Sequence, residues 1–396
     1  MLSTKSHGQE AQRMPVVSEE TAPAQSLVVP TNYYNVQAGT VYLRLQGEVE
    51  VELNNNVNYT ETNRRADLIL RPSLNTDLLW PLNGRNTFSF STGLGYVYYL
   101  DTSALDHPYV APDSKLAVKI YSGDFVFDLH DRFSAQDNVL QTPSLSGTGN
   151  YFEIENVSGA DATWNLSKLI LSLTYDYDLV NVLSGPFTSF THGSDLFRER
   201  TTFLVNSTGR AGLEMEGGLT DYAQTHLEDN REFAIGSFYE TQWSPYLQTK
   251  LSAGFVELFF DPTSFSGLRD FDSYYADFAL GHRLNKWFDQ WISAGRQIGG
   301  GTPNASLYLH DYLYYQCNFY AIRNARLGVH VSYDHGTTEG GFDEHFDRIG
   351  AGIFLSRNIS QNITANITYE FWRKNSDIYN YGYIQDRLIV DATWKF

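Results

Sequence analysis

The sequence has one cysteine, Cys317, in 396 residues. A single thiol closes no intramolecular disulfide and builds no zinc cluster of paired cysteines. No apolar run reaches the roughly 18 residues that a membrane-crossing helix needs. Catalytic signatures are lacking too. There is no Gly-x-Ser-x-Gly elbow and no His-Glu-x-x-His, and the glycine run 299–301 lacks the following Lys and Ser/Thr of a phosphate-cradling loop. Basic residues number 28 against 46 acidic ones, and the formal charge of −18 argues against nucleic acid as a partner. Residues 1–36 contain no apolar segment of the secretory kind, so an export signal, if the chain is exported, precedes this numbering or has been removed from it. That stretch is polar, is punctuated by Pro15, Pro23 and Pro30, and reads as a flexible arm, in which Val28, Val29, Tyr33 and Tyr34 could dock.

Aromatic residues, in contrast, are abundant: 27 Tyr, 25 Phe and 7 Trp. An excess of Tyr suits a surface that sits half in lipid and half in water. From Thr40 onward apolar and polar residues alternate. Val41, Leu43, Leu45, Gly47, Val49, Val51 and Leu53 share one parity; Arg44, Gln46, Glu48, Glu50 and Glu52 share the other. The last ten residues repeat the pattern, with Leu388, Val390, Ala392, Trp394 and Phe396 opposite Arg387, Asp391, Thr393 and Lys395. Period two over such lengths is a strand whose faces meet different surroundings. Pro72, inside the run 68–80, costs one ladder hydrogen bond, so a bulge is expected there.

The connections between these runs alternate short and long. Short ones fall at 81–85, 122–124, 207–210, 244–245, 284–287, 321–324 and 357–361. Long ones fall at 101–113, 136–149, 178–196, 225–231, 261–270, 298–304, 335–343 and 373–380. Counting strands between them gives about eighteen, with sixteen as the alternative, at the length that crosses a bilayer tilted. The expected fold is all-β: a transmembrane antiparallel up-and-down barrel over 37–396, preceded by the arm at 1–36. An even count puts both termini on the short-turn side. The long segments 136–149 and 178–196 are the ones expected to fold inward.

The final strand, stepping back in twos from a C-terminal aromatic, resembles the terminal strand of bacterial outer-membrane barrels, which the barrel assembly machinery reads. More broadly, 54–74, 89–105, 242–255, 274–287 and 383–396 resemble the porin-2 type of outer-membrane β-barrel, over nearly all of 37–396. The resemblance rests on strand-and-turn texture. It implies an integral outer-membrane channel with its N-terminus in the periplasm, surrounded by outer-membrane lipid, non-enzymatic and without a cofactor. Some members of that group are associated with surface polysaccharide export, which supplies the alternative function and export components as partners.

Alternation assigns the polar parity to the lumen, so the candidate lining residues are Arg44, Glu48, Glu50, Glu52, Arg71, Asp77, Lys119, Asp128, Arg132, Glu214, Glu216, Arg283, Tyr312, Arg348, Arg387, Asp391 and Lys395. Acids lead, which implies a modest cation preference for a passage carrying small polar solutes. Glu48, Glu50 and Glu52 would repel one another unless basic neighbours screen them; Arg71, Arg387 and Lys395 are the expected partners. Tyr308, His310, Tyr312 and Tyr314 align as a possible sugar-stacking row or as ordinary packing. Asp176 and Asp178 could hold a metal, although alternate carboxylates on a strand are commonplace. Leu388, Val390, Ala392, Trp394 and Phe396 are assigned to the C-terminal assembly signal.

Overall fold

A computed structural model describes residues 33–137, 139–224, 227–261, 268–320 and 322–396. The sheet begins with β1 (Val36–Ala38), β2 (Val41–Asn54), β3 (Asp67–Pro81), β4 (Thr87–Tyr99), β5 (His107–Val110), β6 (Lys115–Ser122) and β7 (Phe125–Asp137). It continues through β8 (Phe152–Leu166), β9 (Leu169–Val182), β10 (His192–Leu204), β11 (Gly209–Tyr222), β12 (Asn230–Ser244) and β13 (Leu247–Phe260). The remaining strands are β14 (Phe271–Asn285), β15 (Phe288–Gly299), β16 (Ala305–Phe319), β17 (Ala325–Gly341), β18 (Glu344–Asn358), β19 (Ile363–Ser376) and β20 (Tyr383–Lys395). Apart from β5 and β6, each pairs antiparallel with its sequence neighbours, and β20 pairs with β2 from Gln46↔Lys395 to Asn54↔Arg387, which closes the sheet. Segments β5 and β6 both bridge β4 and β7 and form one stave, while β1 is a three-residue flap on β2. The result is a closed transmembrane barrel of 18 staves among the described residues.

The register fixes which side each residue faces. Leu53, Leu94, Leu129, Leu173, Phe197, Phe255 and Ile353 are exposed on the outer wall, where lipid is the solvent. Indoles of Trp80, Trp164, Trp243 and Trp287 stand exposed toward the rim of short turns. Toward the other rim Tyr175, Tyr333 and Tyr369 donate hydroxyl hydrogen bonds to Asp195, Asp347 and Asp386 at 2.6–2.7 Å. Amphipathic rings at both edges of an apolar band are what the two interfaces of a bilayer select.

Three strand-level expectations need correction. Pro72 makes no bulge: Val49↔Pro72 keeps the β2–β3 register, and β3–β4 resumes unchanged at Ser73↔Gly95 after Leu70↔Tyr98. The strand opposite accommodates it with Gly95, where a Cβ would lie 2.5 Å from the Pro72 carbonyl oxygen. The expected connection 101–113 is half strand, because β5 starts at His107 and a two-residue offset at 111–114 separates it from β6. The segment 335–343 is not a long loop either. Thr337 and Thr338 continue β17, and the chain reverses through Gly340 and Gly341, whose φ values of +78° and +156° suit glycine alone.

The expected arm up to residue 32, with Val28 and Val29, lies outside the described residues. From Tyr33 the chain folds back on the short-turn mouth. The Tyr33 hydroxyl donates to Asp77 at 2.8 Å, Arg44 lies over its ring, and Asn35 Nδ2 donates to the carbonyls of Leu45 and Phe396.

Phe396 is exposed on the outer wall beside Trp394, and its backbone N–H reaches only the Leu45 carbonyl at 3.3 Å. Deleting it is therefore expected to lower the yield of membrane-inserted, heat-shiftable barrel while leaving the ion selectivity of the inserted fraction unchanged. Quantitative gel mobility of membrane fractions reads the first effect. Normal insertion of the truncated chain would remove Phe396 from the assembly signal.

Candidate functional site

At the closing seam the acidic row of β2 meets basic partners. Glu52, 1% exposed, receives Arg387 Nε and Nη2 at 2.8 Å each and Arg71 Nη1 at 2.6 Å. Arg71 also pairs with Glu50, and Arg387 Nη1 reaches Glu370 at 3.1 Å. Glu48 accepts from Asn75 at 3.0 Å. Two guanidiniums thus bridge three carboxylates across β3, β2, β20 and β19, and the planar fork of Arg suits that bridging. Lys395, expected as a third basic partner, is not one: it lies opposite Gln46, beyond Glu48, and the ion pairs of the row are made by Arg71 and Arg387.

On the β16–β19 wall, Asp334 accepts from His310 Nε2 at 2.9 Å and from Arg348 Nη2 at 2.8 Å. Arg348 then donates across the interior to the Leu140 carbonyl at 2.7 Å. Lys374 pairs with Glu344 at 2.8 Å and donates to Ser144 O and Ser146 Oγ. The connection between β7 and β8 therefore enters the barrel and is clamped to the far wall. Its apolar side, Val139, Leu145 and Tyr151, packs with Phe187 and Phe190 of the β9–β10 connection. Burial of the Tyr151 phenol pushes its pKa well above the ordinary value, and burial does the same to Tyr59 in the β2–β3 connection, so both remain proton donors.

A third inward feature is the glycine run 299–301. The end of β15 leaves β14, whose pairing stops at Ala276↔Arg296, and Ile298 packs against Ala234, Val256, Leu258 and Tyr275. Tyr222 Oη donates to Gly300 O at 2.5 Å, and a Cβ on Gly300 would strike the Asn230 side chain. Close approach of two chain segments explains the glycines; no phosphate loop is involved.

Ile298, Gly299 and Gly300 form one side of a cavity of about 340 Å³ against β7–β12. In its wall His130 Nε2 bonds Asp176 Oδ1 at 2.9 Å, and Arg198 joins Asp176 Oδ2 at 2.8 Å to Glu216 at 3.2 Å. Arg132 lies 3.9 Å from Asp176, and Tyr275 Oη donates to Glu214 at 2.9 Å. Asp176 is thus committed to His130 and Arg198, and no group of metal-ligating side chains gathers among the described residues.

The register puts every candidate lining residue on the inner face, although not together. Arg44 and Asp77 pair at 3.3 Å near the short-turn mouth, as do Lys119 and Asp128 at 3.4 Å further round. Arg283 is exposed at that same rim. Asp391 accepts from Asn366 at 2.6 Å. Tyr312 donates to Asp277 and Tyr314 to Gln316, both at 2.7 Å, and Tyr308 is buried. The aromatic row is thereby tied into wall packing.

Sequence reasoning passed over Arg198, Arg200, Asp334, Glu344 and Lys374. Their signal was present: Arg198, Arg200 and Thr202 alternate with Phe197 and Phe203. Glu344 and Lys374, however, lie at strand ends that read as loop.

No family model matches the chain, and no curated protein matches it. Solved structures do. A crystal structure of Pseudomonas aeruginosa OccK1 (OpdK) aligns with TM-score 0.54 at 10% identity, covering 89% of this chain and 99% of that one. The outer membrane protein OpdK, from the same organism, gives 0.52 at 10% over the same shares. OpdK with vanillate gives 0.51 at 9%, again over the same shares. At such identities the likeness carries the architecture. The porin-2 type itself finds no confirmation in these comparisons.

Replacing Glu52 with Ala leaves the part-buried Arg387 and Arg71 without their main carboxylate, a change whose upper limit is that of a fully buried pair, about 3–5 kcal/mol. The E52A barrel is expected to lose its heat-shifted gel mobility at a markedly lower temperature. E48A, which removes an acceptor from the amide of Asn75, serves as the mild control.

Proposed function

We propose that this chain is a non-enzymatic outer-membrane porin-like barrel that passes small polar solutes, with its termini on the periplasmic side and a modest preference for cations. The observation that carries the reading is a closed 18-stave barrel whose interior, among the described residues, is polar and is narrowed by its own connections. Barrels of this girth enclose water unless something fills them. The likeness to OccK1 and OpdK supports a channel, and vanillate in one of those structures is a small polar solute of the scale envisaged. Nothing in the comparisons favours the accessory role in polysaccharide export. The excess of inward carboxylates motivates the cation preference.

Purified barrel in planar bilayers is expected to give discrete conductance steps and, in a KCl gradient, a reversal potential of cationic sign. A correctly folded barrel that carries no current would overturn the passage. An anionic reversal potential would overturn the preference alone.

The inserted β7–β8 connection is the constriction in this reading. R348A together with K374A removes both clamps to the far wall and is expected to raise single-channel conductance roughly two-fold or to make it noisy. Steps identical to those of the parent barrel would assign the constriction to the 299–304 segment instead.

A further inference from the structure

The cavity has one buried carboxylate oxygen that the wall leaves without a hydrogen-bond partner among the described residues. It is Oδ1 of Asp178, on β9, a residue only 9% exposed. The neighbouring carboxylates Asp176, Glu216 and Glu214 are committed: Asp176 to His130 and Arg198, Glu216 to Arg198, Glu214 to Tyr275. A buried acceptor without a donor is costly, and a carboxylate on a cavity wall can turn to meet a donor from outside the wall. Glu232, on β12, faces the same cavity three staves further round. Three strand spacings put the two backbones about 14 Å apart along the wall, and both side chains reach inward from there. The surface between them is in part apolar, with Leu196, Ala234 and Ile298, and Val157 lies beside Asp178.

We propose that this cavity is a binding site for a linear diammonium solute, one ammonium on Asp178, the other toward Glu232, and the methylene chain along Leu196 and Ile298. Ammonium groups are donors only, which is what Asp178 lacks, and a short alkyl chain fits the apolar strip. A dicarboxylate of equal length would bring only acceptors to Asp178 and Glu232. Arg132 and Arg198 border the site, but Arg198 already spans two carboxylates. The proposal deepens the passage reading and rests on it for transport, though not for binding.

The test uses the detergent-purified full chain and three isosteric probes: 1,5-diaminopentane, glutarate and 1,5-pentanediol. Calorimetry is expected to detect 1,5-diaminopentane, with the other two binding at least about tenfold more weakly. D178N, whose parent side chain holds nothing in the wall, should keep the heat-shifted mobility and weaken diamine binding about tenfold, the scale of one lost charge-assisted hydrogen bond. E232Q should weaken the diamine more than it weakens 1-aminopentane. In bilayers the diamine should shorten open times at concentrations where glutarate has no effect. Equal or tighter glutarate binding overturns the site, as does unchanged diamine affinity in folded D178N, or no diamine heat up to about 10 mM. A barrel that binds the diamine but never conducts retains the site and loses the passage. One that conducts without binding it retains the passage and loses the site.

Discussion

Closure of the sheet is the constraint on which everything else in this molecule depends. In hydrocarbon no water satisfies an exposed strand edge, so a spanning sheet must return upon itself. The nine pairs from Gln46↔Lys395 to Asn54↔Arg387 perform that return. Once they are set, each stave passes its parity to the next around the ring, and inside and outside are decided for every residue. Charge at the seam follows suit. The even positions of β2 and the odd positions of β20 face inward together, which brings Glu52 against Arg387. A slip of one residue would turn Glu48, Glu50 and Glu52 toward lipid.

The interior then divides by how completely its charge is compensated. At the seam and on the β16–β19 wall, each buried carboxylate has a guanidinium or ammonium: Glu52 with Arg71 and Arg387, Asp334 with Arg348, Glu344 with Lys374. Such networks hold geometry. Two of these cations also secure the β7–β8 connection, so the far wall acts as the anchorage of the constriction. On the β7–β12 wall compensation is less complete, and Asp178 Oδ1 is left without a hydrogen-bond partner among the described residues.

The barrel was legible in the sequence because lipid imposes one rule on every stave. Leu53, Leu94 and Leu388 alternate with polar residues for the same reason, and the reader needs only parity and turn spacing. Legibility faded where that rule stops. Beyond the bilayer, strands such as β17 run on through Thr337 and Thr338 with no apolar parity to mark them. Pro72 read as a bulge, but the register runs through it with Gly95 of the facing strand close against its carbonyl, an approach visible only once β3 and β4 are side by side. The seam partners of Glu52 were foreseen because the first and last strands must meet in any closed meander. Arg348 to Leu140, separated by 208 positions, was not, because nothing local encodes a contact across the lumen.

The same asymmetry locates specificity. Outward positions are held to apolar or interfacial residues by solvation, so they have little freedom to encode a solute. Inward positions in compensated networks are held by one another: removing a member strands its partners in a buried setting. The residues left to discriminate are inward, buried and uncommitted. Asp178 meets all three conditions, whereas Asp176, two residues earlier on the same strand, fails the last because His130 and Arg198 occupy its two oxygens. Two aspartates alike in sequence thus differ in kind: one holds the wall, and the other is available to whatever enters.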